Sequence, residues 1–324
     1  MFSYPRILKT CFFFGIIETM IITVPIKTEK DIATPGPNVL VLGYFDGIHL
    51  GHQKLFDVAG EVASEKQMGV ALVTFNESPK LTLNPYSPEH LLHILNAEER
   101  ERKLKRAGVE SLYLMDFTSR VANLTAQEFV NTYVREAKAD TIVVGFDYTL
   151  GSDRKTAEDL QDIFDGDVII IPPIEEEKGK ISSTRIRKAI LEGDVKEARK
   201  LLGAPLPTRG VVVHGNARGR TIGYPTANLV LLDRTYMPAD GVYSVDIEIQ
   251  RKIYRGMASV GKNMTLDGEE ERFEVHIFDF DADIYGETVK VYWLNRIRDM
   301  VKFDHVEDLV NQLDKDASIA KTEK

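Results

Sequence analysis

Between residues 38 and 171 the sequence alternates two patterns, and no other feature restricts the fold as much. Apolar or β-branched runs ("NVLVLGYF", "GVALVTF", "VESLYLMDF", "DTIVVGFD", "GDVIIIPP") are separated by segments of helical spacing. In "HQKLFDVAGEVASEKQM" Leu55, Val58, Ala59 and Val62 share one face, and "AEERERKLKRAG" closes on Gly108. "TAQEFVNTYVREAKA" opens on a Thr125 cap with Glu128 three residues on. Strands alternating with helices build parallel βαβ units, which take ligands at the carboxyl ends of the strands. After residue 206 the pattern changes to short β-type runs between Gly, Asp and Asn turns: "TRGVVVHG", "GVYSVDIEI", "KIYRGMASVG", "RFEVHIFDF" and "TVKVYWLN". Such runs predict an antiparallel sheet or small barrel. A final helix in "FDHVEDLVNQLDKD" is expected to bury Val306, Leu309, Val310 and Leu313. The division expected is an α/β domain over residues 20–187, a joining segment over 188–206 and a β-barrel domain over 207–324.

Charge narrows the partners. With 41 Lys and Arg against 50 Asp and Glu the chain carries a net charge of -9, whereas non-specific binders of nucleic acid or anionic membranes present a basic field. Neither partner is expected, and an anionic ligand must be met by local basic groups and backbone N–H donors. The one cysteine, Cys11, excludes an internal disulfide framework and fits a reducing, cytoplasmic setting. The opening "MFSYPRILKTCFFFGIIETMIITVPI" has the basic start and apolar middle of a signal peptide, but Glu18 interrupts the run and no A-x-A-like cleavage site follows. Met20 is the expected start, with residues 1–19 an extension without functional content.

Two short stretches carry chemistry. In "GYFDGIHLGH" His49 and His52 follow the first apolar run and precede its helix. Gly51 between them lets backbone approach a ligand at a helix N-terminus, where N–H groups and the helix dipole favour anions. Histidines at a strand exit also occur as ordinary hydrogen-bonded groups. "ISSTRIR" follows the fifth run and opens a helix with the hydroxyls of Ser182, Ser183 and Thr184, and Arg185 adds a fork suited to phosphate. Alone it reads as a helix cap. Together, at two ends of one α/β domain, the stretches make a triphosphate-gripping site for nucleotidyl transfer. Asp46 either orders its loop or approaches a metal, and loop order is the expectation, since Asp is a common turn former.

These motifs, with "GFDYTLG", "GRTIGYPTAN", "DGVYSV" and "DADIYG" in the same order over residues 38–316, resemble the bacterial bifunctional riboflavin kinase/FMN adenylyltransferase (FAD synthetase) family. The resemblance implies a Rossmann-like nucleotidyltransferase domain followed by a riboflavin-kinase-like barrel, with ATP, FMN and riboflavin as substrates and Mg²⁺ assisting. The first domain would transfer AMP from ATP to FMN. His49, His52 and Arg185 would act on the reacting phosphates, and Gly43, Phe45, Asp46, Gly51, Ser182, Ser183 and Thr184 would hold the nucleotide. Phe75, Pro79 and Asp147 would meet flavin. The family's F-x-P-H-P is here Phe75-Asn76-Glu77-Ser78-Pro79, a departure that implies altered ring contacts. Phe75 equally reads as a core residue.

In the second domain Gly215, Gly219 and Gly223 surround Arg218 and Arg220. Such a loop wraps phosphates through backbone N–H groups, although glycines at this density also mark barrel corners. Thr226 and Asn228 are spaced to point the same way on an extended segment, offering two uncharged oxygens to Mg²⁺. Glu274 is an outward carboxylate on an alternating strand, which the resemblance makes the base that takes the ribityl proton. The resemblance also puts Gly215, Arg218, Gly219, Arg220 and Arg298 at the bound substrates. Two departures predict a barrel that binds its ligands but phosphorylates riboflavin poorly. The family's G-T-N-P-T-F is "GKNMTL" here, and Asp299, Met300 and Val301 stand where a glutamate is usual.

Overall fold

The computed structural model describes residues 22–32, 34–177, 179–215, 218–265 and 268–322. Residues 1–19, with Cys11, lie outside the described residues, as do the side chains of Arg218 and of residues 262–271. The first domain is built on a parallel sheet of β1 (Ile22–Ile26), β2 (Asn38–Leu42), β3 (Gly69–Phe75), β4 (Val109–Met115), β5 (Ala139–Gly145) and β6 (Asp167–Ile171). Their order is β1-β4-β3-β2-β5-β6, every neighbouring pair parallel. All five residues of β2 are buried, as its unbroken apolar run demands of a central parallel strand. Helix α1 (Leu50–Lys66) connects β2 to β3, and α2 (Ala97–Arg106) lies between β3 and β4. The chain builds outward from β2 to β4, then returns to the other side of β2 for β5 and β6. That reversal opens a crevice beyond the carboxyl ends of β2 and β5, where open α/β sheets bind ligands. Residues 43–52 and Asp147 stand there.

One strand was not expected. The alternating pattern begins at residue 38, yet Ile22–Ile26 runs parallel to β4, from Ile22 opposite Ser111 to Ile26 opposite Met115. Pro25 within it has no N–H to give and is tolerated because β1 is an edge strand.

Residues 188–206, expected to join the domains, are largely helical. Helix α3 (Ser183–Leu191) is followed by α4 (Val195–Leu202), which buries Val195, Ala198, Leu201 and Leu202 and ends on Gly203 at φ 69°. The closed antiparallel barrel comprises β7 (Leu206–Val213), β8 (Ala227–Leu231), β9 (Gly241–Ile249), β10 (Lys252–Thr265), β11 (Gly268–Ile277) and β12 (Thr288–Arg298), in the order β7-β8-β11-β10-β9-β12. Inside it Trp293 stacks on Phe273, meets Tyr243 edge-on and donates its indole N–H to Thr208 Oγ1 at 2.8 Å. Its one polar atom is thereby satisfied in the core.

The last helix, α5 (Val306–Thr322), packs on a face that overlaps the expected one only in part: Leu313 belongs to both, Leu309 and Val310 are half-buried, and Val306 is turned out. Val306 is 57% exposed, and the packed face is Leu313, Asp316, Ala317 and Ala320. The cause is polar. Asp316 is fully buried and its carboxylate accepts hydrogen bonds from Arg298 Nε at 2.9 Å and from Gln312 Nε2 at 2.9 Å. A buried carboxylate must be paired, so the guanidinium on β12 sets the rotation of the helix.

Candidate active sites

The loop leaving β2 is strained. Phe45, Gly47 and Ile48 all adopt positive φ, at 51°, 93° and 46°, in a stretch of seven residues between strand and helix. Two of the three carry side chains, and such strain persists only where surrounding contacts over-determine it. Those contacts are visible. Asp46 is 2% exposed; its Oδ1 accepts from Ile94 N at 2.8 Å, its Oδ2 from Arg187 Nη2 at 2.8 Å, and its backbone oxygen from Ser183 Oγ at 2.9 Å. Both carboxylate oxygens are occupied, in keeping with the expected loop-ordering role. Arg187, which sequence reasoning passed over in favour of Arg185, joins α3 to the loop. Gly43 is required because a Cβ there would lie 2.7 Å from the Phe45 ring.

His49 caps α1. Its Nδ1 accepts the His52 backbone N–H at 3.2 Å, and the two imidazoles stack with centroids 3.6 Å apart. The glycine between them now has its reason: a Cβ on Gly51 would sit 3.1 Å from the His49 ring. Burial, reinforced by the Lys103 charge, pushes the His49 pKa down to about 4. Burial and the neighbouring His49 hold His52 well below the ordinary imidazole range. Both rings are therefore neutral at pH 7. Because His49 Nδ1 is an acceptor, its proton sits on Nε2, which is left as a donor.

Positive charge is supplied from behind the loop by two residues of α2. Arg100 is 8% exposed and donates to Phe75 O at 2.9 Å and to Tyr44 O at 2.9 Å. Lys103 Nζ lies 3.5 Å from Gly47 O and 3.3 Å from Leu202 O, and burial pushes its pKa down to about 8. These side chains meet carbonyl oxygens rather than carboxylates, so their charge is available to an anion in the crevice. A run of charged residues on a helix ordinarily faces solvent, which is why the sequence did not mark them.

At the N-terminus of α3, Ser182 Oγ accepts from Arg185 N at 3.3 Å as the cap, and Thr184 stands exposed in the first turn. Arg185 is placed differently from the expectation. Its guanidinium pairs with Glu197 on α4, lies 3.6 Å from Glu176 Oε2 and donates to Gly179 O at 2.9 Å. Two nearby carboxylates outcompete open solvent for the fork. Asp147 accepts from Lys180 Nζ at 2.9 Å beside Phe146, over whose ring the same ammonium lies. Phe75 is half-buried against Phe117, and Pro79 begins a single helical turn, Lys80–Leu83. Glu77, at the departure from the family pattern, binds His93 at 3.1 Å and pairs with Arg234 of the second domain.

On the barrel, register brings the second set together. Asn228 on β8 lies opposite Glu274 on β11, and Thr226 Oγ1 donates to Glu274 Oε2 at 3.4 Å. Arg272 Nη1 lies 3.8 Å from Glu274 Oε1. Gly215 and Gly219 are fixed by close approach rather than by corners: a Cβ on the first would lie 2.2 Å from Asn228 Nδ2, and on the second 2.1 Å from Tyr224 O. Arg220 reaches the Tyr285 hydroxyl at 3.5 Å, and Tyr285 stacks on His214 at 3.8 Å. Arg298, expected at a substrate, is instead held by Asp316 as the clamp on α5, since that buried carboxylate needs its full charge.

Comparison with known proteins divides the chain as the fold does. A family model described as FAD synthetase matches residues 31–185, and one described as riboflavin kinase matches residues 202–323. The bifunctional riboflavin kinase/FMN adenylyltransferase of Listeria monocytogenes is 37% identical over 304 residues, covering 93% of this chain and 96% of its own length. The Bacillus subtilis protein of the same name is 36% identical over 310 residues, with the same coverage of 93% and 96%. A crystal structure described as a macrolide-efflux protein from Streptococcus pneumoniae is 69% identical and superposes with a TM-score of 0.91 over 94% of this chain and 100% of its own. Among the described residues no helix is long and apolar enough to cross a membrane.

Proposed function

The chain belongs to the bifunctional riboflavin kinase/FMN adenylyltransferase family, and from that premise we propose that its α/β domain adenylylates FMN at the crevice beyond β2 and β5. An FMN phosphate oxygen attacks the α-phosphorus of ATP, a P–O bond forms, the bond to the bridging oxygen breaks, and pyrophosphate leaves with FAD as the product. The FMN phosphate is already a nucleophile, so the protein has only to align it and offset charge on the leaving group. The observation that carries this reading is the strained loop 43–49, tied down on every side and delivering His49 and His52 to the N-terminus of α1. The neutral His49 donates from Nε2 to a phosphate oxygen, the α1 N-terminus adds backbone N–H groups, and Arg100 and Lys103 supply positive potential. Thr184 adds a hydroxyl from the first turn of α3. Flavin lies toward Phe75, Pro79 and Asp147.

In the barrel, Thr226, Asn228 and Glu274 present two neutral oxygens and a carboxylate on one face, a donor set that suits Mg²⁺ together with nucleotide phosphates. Mg²⁺ held by Thr226 and Asn228 would offset charge on the transferred phosphoryl group. Glu274 takes the proton of the ribityl hydroxyl as the hydroxyl oxygen attacks the γ-phosphorus, the bond from that phosphorus to the β,γ-bridging oxygen breaks and ADP leaves, while Gly215, Gly219 and Arg220 keep backbone N–H groups and a cation near the phosphates. ATP labelled in its α-phosphate tests the assignment of the first domain. The label should appear in FAD when FMN is present, whereas label confined to AMP would refute nucleotidyl transfer to flavin.

A further inference from the structure

The segment from His93 to Lys103 touches both domains. Toward the barrel, His93 N donates to Arg234 O at 2.9 Å and His93 O accepts from Tyr236 N at 3.0 Å. Asn96, the cap of α2, donates to Asp233 Oδ2 at 2.6 Å, and Asp233 is itself gripped by Arg209 of β7. Three residues on, in the first turn of the same helix, Glu99 is 1% exposed and pairs with Lys290 of β12 as well as with Arg102. Toward the crevice, the same segment carries Ile94, whose N–H holds Asp46, Arg100, which holds Tyr44 O and Phe75 O, and Lys103, which reaches Gly47 O. Lys103 and Gln53 also bind Leu202 O, at 3.3 Å each, at the end of the helix that packs on β12. The strained loop is thus anchored through a strut whose far end is in the barrel.

We propose that His93–Lys103 is a positioning strut through which the barrel sets the geometry of the nucleotide loop 43–52, with Lys290 and Glu99 as its far anchor. The barrel is then a working part of adenylyl transfer, whatever chemistry it performs itself. The inference rests on the adenylyltransferase reading of that loop. A positive-φ loop has no local preference for its conformation, so its placement comes from contacts, and about 1 Å of misplacement can cost roughly 100-fold in rate. Glu99 keeps Arg102 when Lys290 is replaced, so the substitution shifts the anchor without orphaning a buried carboxylate.

The test is steady-state FAD formation from FMN and ATP by the full chain as wild type, Lys290→Met, Lys290→Arg and Glu99→Gln, each with its thermal midpoint. For Lys290→Met kcat is expected to fall at least about fivefold while KM for ATP changes less than about twofold, with the midpoint nearly unchanged and Lys290→Arg restoring most of the rate. Glu99→Gln, which keeps both cations in place, is expected to show the same split. Wild-type kinetics in folded Lys290→Met, or a rate loss that only follows a lowered midpoint and is not restored by arginine, would overturn the strut. A wild-type protein that makes no FAD would instead overturn the reading of the loop.

Discussion

At the scale of single residues, the imidazoles are the groups on which the chemistry turns. His52→Ala should slow adenylyl transfer by at least about tenfold with the fold intact, since a lost charge-stabilising donor typically costs ~2.7–4 kcal/mol in the transition state. A folded variant with a near-normal rate would make His52 structural. His49 also makes a prediction about acid. Its pKa is about 4 in the fold against 6.5 for an unperturbed imidazole. Between those values the unfolded chain binds a proton that the folded one does not, so stability must fall as pH drops through this window. Thermal midpoints of wild type and His49→Asn across that range should converge at the acid end, and parallel curves would contradict the assignment. Much of this was legible, because H-x-G-H and S-S-T are local patterns with local reasons. Arg100, Lys103 and Arg187 were not, since their importance comes from what the fold places opposite them. Arg185 and Arg298 pair with Glu197 and Asp316, partners that could not be read from the chain, because a fork aimed at phosphate and a fork held by a carboxylate look alike in one dimension.

At the scale of elements, periodicity named every strand of the central sheet except β1, whose five residues follow an apolar start and contain a proline. The face of α5 was legible at Leu313 but not at Val306, because the apolar count favoured Val306 while the decisive contact was Asp316 with Arg298. The altered loops of the barrel bear on its rate. Met300 and Val301 are 48% and 55% exposed, and Met300 Sδ lies 3.6 Å from Oγ of Ser259, the residue of β10 that pairs with Glu274 of β11. An apolar, rotatable side chain holds its neighbours less firmly than a hydrogen-bonded glutamate, and phosphoryl transfer asks mainly for positioning. Riboflavin should therefore be phosphorylated much more slowly than FMN is adenylylated. Restored kinase activity in a Met264→Pro, Leu266→Phe, Val301→Glu variant would support this, and comparable rates in the wild type would defeat it.

At the scale of the whole molecule, the two domains meet through buried and half-buried charge rather than a flexible tether. Glu99 with Lys290, Asp233 with Arg209 and Asn96, and Glu77 with Arg234 all cross between them or brace the crossing. The joining residues 188–206 read from sequence as an amphipathic helix running into a proline-rich stretch; that this helix is core to both halves needed the third dimension. A protein beginning at Met20 keeps β1 and should match the full chain in rate and thermal midpoint, and a loss of either would give residues 1–19 a part in the fold. The most direct test of the central claim is chromatography of the products formed by purified protein from ATP, Mg²⁺ and FMN. FAD and pyrophosphate in equal amounts are predicted. No FAD, with some other phosphomonoester adenylylated or cytidylylated in its place, would contradict it.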